Sequence, residues 1–237
     1  MANFLKEIDH NAEEIAQMYA EKKNITPKIA DITIDFYQEE EKNKKFYKND
    51  SFEMAYHEPV TSKLEFFLAR ILYHISSIKK LNWKIYLRTQ KKKCAPDIRV
   101  EKDEETIFII EVKANAGWMQ AFISPEAYKR DKKKDRQPDE LVKKQKEQLY
   151  KYKDAFETNN VYMFLPTLGS AHQKGYKTNY EGYKNNFKKN TGFPQDNLII
   201  LSSDLSLNLG KKNIEKSDID KKKLTDEFEK MLHKFIK

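Results

Sequence analysis

The segment that most constrains this chain is 93–113, which its residue pattern predicts to be two short strands joined by an acidic turn. Side chains alternate between the two faces of a strand, so Glu111 and Lys113 point the same way in the second strand. Ile107 and Ile109 precede them on that face. The opposite face is entirely apolar and carries Phe108, Ile110 and Val112.

The pairing of the two strands depends on where the chain turns. A three-residue turn at Asp103-Glu104-Glu105 would gather the apolar side chains on one side, which is the register that a buried face selects. The predicted pairs are Lys102 with Thr106, Val100 with Phe108, Ile98 with Ile110, and Asp97 with Glu111. Two carboxylates are therefore expected side by side.

Two neighbouring carboxylates raise each other's pKa and are costly unless a cation lies between them. Mg²⁺ prefers oxygen ligands and commonly keeps several waters and a substrate phosphate oxygen. The ammonium of Lys113 could orient or deprotonate one of those waters, while the metal stabilises charge on the phosphate. The combination is suited to phosphodiester hydrolysis.

Pro96-Asp97 followed by Glu111-Val112-Lys113 resembles the signature of the PD-(D/E)XK nucleases. The resemblance implies that Asp97 and Glu111 bind Mg²⁺, for which Mn²⁺ can substitute. It also implies that the backbone carbonyl of Val112 contacts the metal and that Lys113 acts on the attacking water. The alternative is a surface hairpin with a Glu-Lys pair on its solvent face, but Ile107 and Ile109 beside the charges favour the nuclease interpretation.

A further acidic residue, Glu65, lies on a helix predicted over 62–78. Many PD-(D/E)XK nucleases place an acid on the helix before the three strands, and by this resemblance Glu65 would support the metal site. Ser62-x-x-Glu65 is also the pattern of a capping box, in which the glutamate bonds the first amide of its own helix. The sequence leaves both interpretations open.

Pro138 opens a second amphipathic helix that is predicted to end near Phe156. Gln148 and Tyr152 lie on its inward stripe, where an amide needs a partner. They resemble the Gln-hydrophobic-x-x-Tyr element that follows the catalytic lysine in several branches of the same superfamily, where these residues flank the site or contact DNA. The alternative is a tyrosine that packs in the core and glutamines that bond backbone groups.

Basic and aromatic residues elsewhere are candidates for contacts with nucleic acid. One group is the run 91–93 before the hairpin, and the other lies in an expected insertion over 166–197. The candidates are Lys92, Lys93, Tyr176, Lys177, Lys184 and Lys188. A solvated loop and a helix of ordinary composition are the alternatives.

The order of predicted elements is helix, three strands, helix, strand, strand and helix. This order matches the α-β-β-β-α-β core of the superfamily with one extra strand, and it predicts an α/β fold with a mixed central sheet flanked by helices. Residues 1–55 are expected to form a helical accessory layer and 56–237 the nuclease domain, within one compact domain. The last apolar stripe, near 224–235, would cover the sheet or pair with a second subunit.

Composition restricts the partners. The net charge of +8 favours a polyanion, the aromatic content of 12% excludes a disordered chain, and the single cysteine, Cys94, excludes an internal disulfide and a multi-cysteine zinc site. No apolar run approaches the length of a membrane span, so an intracellular, cytoplasmic protein is expected.

The sequence therefore predicts a Mg²⁺-dependent endonuclease for double-stranded DNA that resembles type II restriction endonucleases. A homodimer is expected, since one such site cuts one strand. One alternative is a repair, recombination or phage-defence nuclease that acts on ends or junctions. Another is a non-catalytic nucleic-acid-binding module, although such a module would have no need for two close carboxylates.

Overall fold

The computed structural model describes residues 2–46, 60–114, 138–169, 179–209 and 213–236. Within those ranges it has, besides three short 3-10 helices, six α-helices and five strands. In chain order they are α1 (Ala2–Ala20), α2 (Thr26–Phe46), α3 (Val60–Lys79), β1 (Lys84–Leu87), β2 (Ile98–Lys102), β3 (Glu105–Val112), α4 (Pro138–Phe156), β4 (Val161–Thr167), α5 (Tyr180–Thr191), β5 (Leu198–Ser202) and α6 (Glu227–Phe235).

The five strands form one mixed sheet in the order β1-β2-β3-β4-β5. The first three strands are antiparallel neighbours, and β3, β4 and β5 run parallel. The predicted mixed sheet flanked by helices is therefore confirmed. Strand β3 is at its centre, so the residues that follow it lie at the middle of one sheet end.

The β2–β3 hairpin differs from the prediction in its turn. Ile98 pairs with Ile110 and Val100 with Phe108 as expected, but Lys102 pairs with Glu105 instead of Thr106. The turn has two residues, Asp103 and Glu104, which both adopt positive φ angles of 51° and 68°. Such a turn suits the twist of a hairpin, and a bulge beyond Val100 restores the apolar pairing.

The bulge also changes the position of Ile107. This residue was predicted to share a face with Ile109, yet it packs against the core on the other side of the sheet. A bulge inserts one extra residue and locally re-aims its side chain, which explains the difference. Beyond the bulge the predicted alternation holds, because Ile109 and Ile110 belong to opposite cores.

One face of the sheet is covered by α1, α2, α3 and α6, whose apolar residues form a single core with Val100, Phe108 and Ile110. The last helix covers the sheet, which is the first of the two roles left open for it. Phe228 meets Phe164 edge-on at 5.8 Å, and Phe235 lies 4.7 Å from the Phe108 ring. Helices α1 and α2 share this core with the sheet.

The other face is covered by α4 and α5, which form a second core with Ile109 and Met163. Leu149, Tyr152 and Phe156 of α4 are buried there, as their stripe predicted. Helix α5 lies within the segment expected to be an insertion. It connects the parallel strands β4 and β5, so this segment is a β-α-β crossover that belongs to the fold.

Among the described residues, no helix is both long enough and apolar enough to cross a membrane.

Candidate active site

Asp97 and Glu111 meet where β3 reaches the end of the sheet. Ile98 pairs with Ile110, so each acid is the next residue beyond that pair. The Asp97 Oδ2 atom accepts a hydrogen bond of 2.8 Å from the Val112 amide. The N–H and C=O of a strand residue point to the same side, so the Val112 carbonyl is directed to the side on which Asp97 lies.

Glu111 is only 3% exposed, and three side chains hold its carboxylate. Its Oε1 atom accepts from Lys113 Nζ at 2.6 Å and from Gln148 Nε2 at 2.9 Å. Its Oε2 atom accepts from the Tyr152 hydroxyl at 3.2 Å. Gln148 also donates to the Tyr152 oxygen at 2.8 Å, so α4 fixes the orientation of the acid through two linked residues.

The Tyr152 hydroxyl stays protonated, because burial and the charge of Glu111 raise its pKa above the usual value. It is therefore a permanent donor to the carboxylate. The spacing of four residues puts Gln148 and Tyr152 on one face of α4, which explains why both reach Glu111. The structure thus places this predicted pair at the acids, and the glutamine has the partners that a buried amide requires.

Asp97 has no comparable compensation. Burial and then the charges of Glu111 and Glu65 raise its pKa to about 7, and the opposing effects of the Val112 amide and Lys113 are smaller. Within the described ranges no cation forms an ion pair with Asp97. A carboxylate held in this way is poised either to take up a proton or to bind a cation.

Of the two roles left open for Glu65, the structure excludes one, and support of a metal site stays a prediction. Helix α3 already includes Val60, so Ser62 lies inside the helix and the capping box is wrong. Arg88 binds the buried carboxylate of Glu65 with both Nε and Nη2, the latter at 2.8 Å from Oε1. The effect of Glu65 on the pKa of Asp97 shows that its charge is felt at the site.

Arg88 was missed at the sequence level. It follows β1 with a positive φ of 48°, and its amide donates to the Asp97 carbonyl at 2.9 Å. The same residue thereby links the backbone of one acid to the side chain of another. Sequence carries no signal for this, because the contact joins α3 and the loop after β1 across the end of the sheet.

Lys113 is 21% exposed on its side chain, so its ammonium is accessible from solvent while it contacts Glu111. Its amide donates to the Phe164 carbonyl at 2.9 Å, which continues the β3–β4 ladder past the end of β3. The backbone carbonyl of the next residue, Ala114, accepts a hydrogen bond from the Tyr37 hydroxyl. Tyr37 of α2 is a second residue that sequence reasoning missed, and it anchors the chain immediately after the lysine.

The donor set agrees with a hard divalent cation. Mg²⁺ typically takes one or two carboxylates and completes its shell with waters and substrate oxygens. Asp97, Glu111 and the Val112 carbonyl supply that minimum. No group of three or more His, Cys, Asp and Glu side chains arranged to hold a metal occurs in the described part of the chain.

Lys184, predicted to contact nucleic acid, is a structural residue. It is 5% exposed, its ammonium lies 2.7 Å from Glu227 Oε1, and it also donates to the Leu198 carbonyl. Glu227 accepts from the Ile200 amide at 2.7 Å, so the pair ties α5 to α6 and β5. This prediction is wrong, because a buried and paired ammonium cannot reach a phosphate.

The other predicted contacts are not gathered at the acids. Lys92 Nζ lies 3.0 Å from Glu157, just beyond α4, and Lys93 is exposed beside it. Glu157 is nine residues from Gln148, or about 13 Å along a helix axis. Lys188 is exposed on α5, whereas Tyr176 and Lys177 lie outside the described residues.

Comparison of the chain with models of protein families, with curated proteins and with solved structures finds no significant match.

Proposed function

We propose that this protein is a Mg²⁺-dependent endonuclease that hydrolyses phosphodiester bonds of double-stranded DNA, in the manner of type II restriction endonucleases. One observation carries the proposal. A part-buried carboxylate, Asp97, has its pKa raised to about 7 and lies next to Glu111 and Lys113 at an accessible end of the sheet. This is an arrangement that a divalent cation would relieve.

In the proposed site Asp97, Glu111 and the carbonyl of Val112 hold the metal ion. When bound, Mg²⁺ supplies Lewis-acid stabilisation of the phosphoryl charge and lowers the pKa of a coordinated water. Glu111 keeps one orientation because Gln148 and Tyr152 hold its two oxygens. A ligand fixed by such hydrogen bonds loses less freedom when the metal binds.

Lys113 has the position of a residue that acts on the attacking water. Its ammonium is held 2.6 Å from Glu111 and remains partly exposed, so it can reach a substrate phosphate and its water. It can donate a hydrogen bond to that water or to the oxygen on which charge develops. The chain's net charge of +8 supports a polyanionic substrate.

The test is incubation of the purified protein with circular duplex DNA and Mg²⁺. We expect cleavage that stops in a chelator and falls by at least about a thousandfold in Asp97→Asn, the scale of several kcal/mol attributed to a metal. DNA binding by Asp97→Asn should be retained, since a charge facing phosphate has been removed. Glu105→Gln, at an exposed position in the turn-proximal part of β3, is the matched control and should cut normally.

The products distinguish the kind of nuclease. Discrete fragments indicate sequence-specific cutting, whereas a smear or trimming from ends favours a nuclease that acts on ends or junctions. DNA that is bound but uncut with Mg²⁺ or Mn²⁺ would contradict the proposal and indicate a binding module. Full activity in Asp97→Asn would refute the assignment of the site.

A further inference from the structure

A cavity lies away from the acids Asp97 and Glu111, at the end of the sheet where β4 and β5 begin. Its volume is about 500 Å³, within the ~300–1,000 Å³ typical of ligand pockets. It is formed by the residues before β4 and β5, one side of α4, and Lys234 of α6. Glu111 and Val112 pair with Met163 and Phe164, further along β4, and Asp97, Glu111 and Lys113 do not line this cavity.

Three aromatic side chains, Tyr150, Tyr162 and Phe193, line the cavity. The Tyr150 and Phe193 rings are 5.2 Å apart and inclined by 62°. Gly192 allows this packing, because its φ is 81° and a Cβ at its position would lie 2.8 Å from the Tyr150 hydroxyl. Tyr162 and Phe193 are almost wholly buried, so half-buried Tyr150 is the ring that a flat, unsaturated ligand would meet.

The Tyr162 hydroxyl is a candidate donor to a ligand in the cavity. Tyr162 is 2% exposed and lines the cavity, yet its hydroxyl makes no hydrogen bond with any described residue. Burial and the charge of Asp196 raise its pKa to about 12, so it is a neutral donor at physiological pH. The hydroxyl oxygen is not enclosed by protein, so a ligand in the cavity can accept a hydrogen bond from it in place of water.

Two asparagines present acceptors. The Asn160 amide nitrogen donates to the Ile107 carbonyl at 2.9 Å, and that of Asn197 donates to the Val161 carbonyl at 2.9 Å. Their side-chain carbonyl oxygens accept no hydrogen bond from the described residues. The cavity therefore combines one hydroxyl donor with amide oxygens that can accept from an amino group.

Two lysines give the cavity a positive rim. Lys234 Nζ is 3.6 Å from Asp196 Oδ2, in a pair whose side chains are 46% and 77% exposed, so this contact is weak. Lys153 has no ion pair within the described ranges, and its ammonium lies 5.7 Å from the Tyr150 ring centre. Asp196 also lines the cavity, so a phosphate at this rim would compete with it for Lys234.

We propose that this cavity binds a nucleotide, with an amino-bearing base beside the Tyr150 ring and its phosphate at Lys153 and Lys234. The nucleotide could be a free mononucleotide or one unit of a nucleic-acid strand, and both present the same ring and phosphate. The proposal does not depend on metal-dependent cleavage, because the acids at the other site take no part in it.

The test is titration of the full chain with deoxyadenosine monophosphate in a chelator, followed by calorimetry. We expect saturable binding that weakens about fivefold in Tyr162→Phe and about tenfold in Lys153→Gln, the scales of a neutral and a charged hydrogen bond. Lys151→Gln, an exposed lysine of the same helix, is the matched control and should bind normally. Asp97→Asn should also bind normally, which separates this proposal from the nuclease.

Further probes distinguish the source of the nucleotide. Binding of the mononucleotide identifies a free ligand, whereas binding of a short oligonucleotide alone, with the same sensitivity to Tyr162→Phe and Lys153→Gln, identifies a unit of a strand. Competition by inorganic phosphate alone, or equal binding of thymidine monophosphate, would overturn the role given to the base. Failure of both nucleotide probes to bind, or indifference to both substitutions with the fold intact by circular dichroism, would overturn the proposal.

Discussion

Two charged clusters lie at opposite ends of the β2–β3 hairpin, and they are balanced in opposite ways. The acidic cluster consists of Asp97, Glu111 and Glu65 with Lys113 and Arg88, so its acids outnumber its bases. The basic cluster, near the hairpin turn, consists of Glu101 with Arg99 and Lys91. Both contain buried glutamates, but only the acidic cluster leaves a carboxylate without a cation.

The basic cluster shows what a satisfied buried charge requires. Glu101 accepts from Arg99 and, at 2.6 Å, from Lys91. The Arg99 guanidinium also stacks 4.0 Å from the centre of Tyr86 and 5.3 Å from that of Phe156. Burial lowers the pKa of Arg99, but an arginine remains charged. The fold therefore supplies two cations to buried Glu101, whereas within the described residues it supplies none to part-buried Asp97.

The largest expected difference between the clusters concerns their lysines. Lys113 and Lys91 each lie 2.6 Å from a buried glutamate, so they are matched in contact and charge. Lys113→Met should lower the rate of DNA cleavage by about 10²- to 10⁴-fold, the contribution of one positioned acid–base group. The measurement is single-turnover cleavage with Mg²⁺.

Lys91→Met is the control for that comparison, and it should cut at close to the parental rate. Its effect should be confined to stability, because its partner Glu101 belongs to no proposed reaction step. If Lys113→Met and Lys91→Met lose activity equally, Lys113 is a structural residue and the two clusters do not differ in function.

The next largest effect concerns the glutamates. Glu101→Gln removes the counter-charge of buried Arg99 and should cost roughly 3 kcal/mol of unfolding free energy, as for other broken buried pairs. Chemical denaturation measures this loss. Glu105→Gln, at an exposed position of the same hairpin, should change the free energy by less than about 0.5 kcal/mol. A small loss in Glu101→Gln would show that the basic cluster contributes little to stability.

A divalent cation should stabilise only the acidic cluster. At ten times its dissociation constant, Mn²⁺ or Mg²⁺ should add about 1.4 kcal/mol to the free energy of unfolding, and so raise the melting temperature at pH 8. The increase should shrink at pH 5, where Asp97 binds a proton instead. Asp97→Asn should abolish it. The same increase in Asp97→Asn would locate the cation elsewhere.

The last effect concerns pH alone. The pKa of Asp97 is raised from 3.8 to about 7, so between these values the folded state binds more protons than the unfolded state. The contribution of Asp97 to stability is therefore present below pH 4 and lost as the pH rises to 7. Asp97→Asn should remove this component. The substitution should raise the melting temperature more at pH 8 than at pH 5, and the partial exposure of Asp97 reduces the size of this difference. A parallel pH dependence in both proteins would contradict the raised pKa.

Local sequence patterns predicted the parts of the site that lie on single elements. The alternation along β3 placed Glu111 with Lys113, and the apolar pairs Ile98–Ile110 and Val100–Phe108 brought Asp97 next to them. The turn was misjudged, since Asp and Glu are unusual at two successive positive φ angles. The error did not change the predicted positions of Asp97 and Glu111, because the bulge restores the register of the hairpin before these residues.

Residues whose roles depend on contacts between distant segments could not be assigned in this way. Lys184 resembled an accessible cation in sequence, yet α5 buries it against Glu227, 43 residues later. Glu65 matched a capping box, but Arg88 from the loop after β1 takes its carboxylate. Neither partner is marked by spacing or composition.

What the sequence determined by itself was the type of most elements and the face on which most side chains lie, because the periods of helices and strands are local properties of the backbone. Helix α5 and the face of Ile107 were the exceptions. The tertiary structure alone decided which charges are compensated. It gave Glu101 two cations, gave Glu65 one, and left Asp97 with none. The reason is that burial and charge pairing depend on which elements pack together, and packing joins residues that no local period relates.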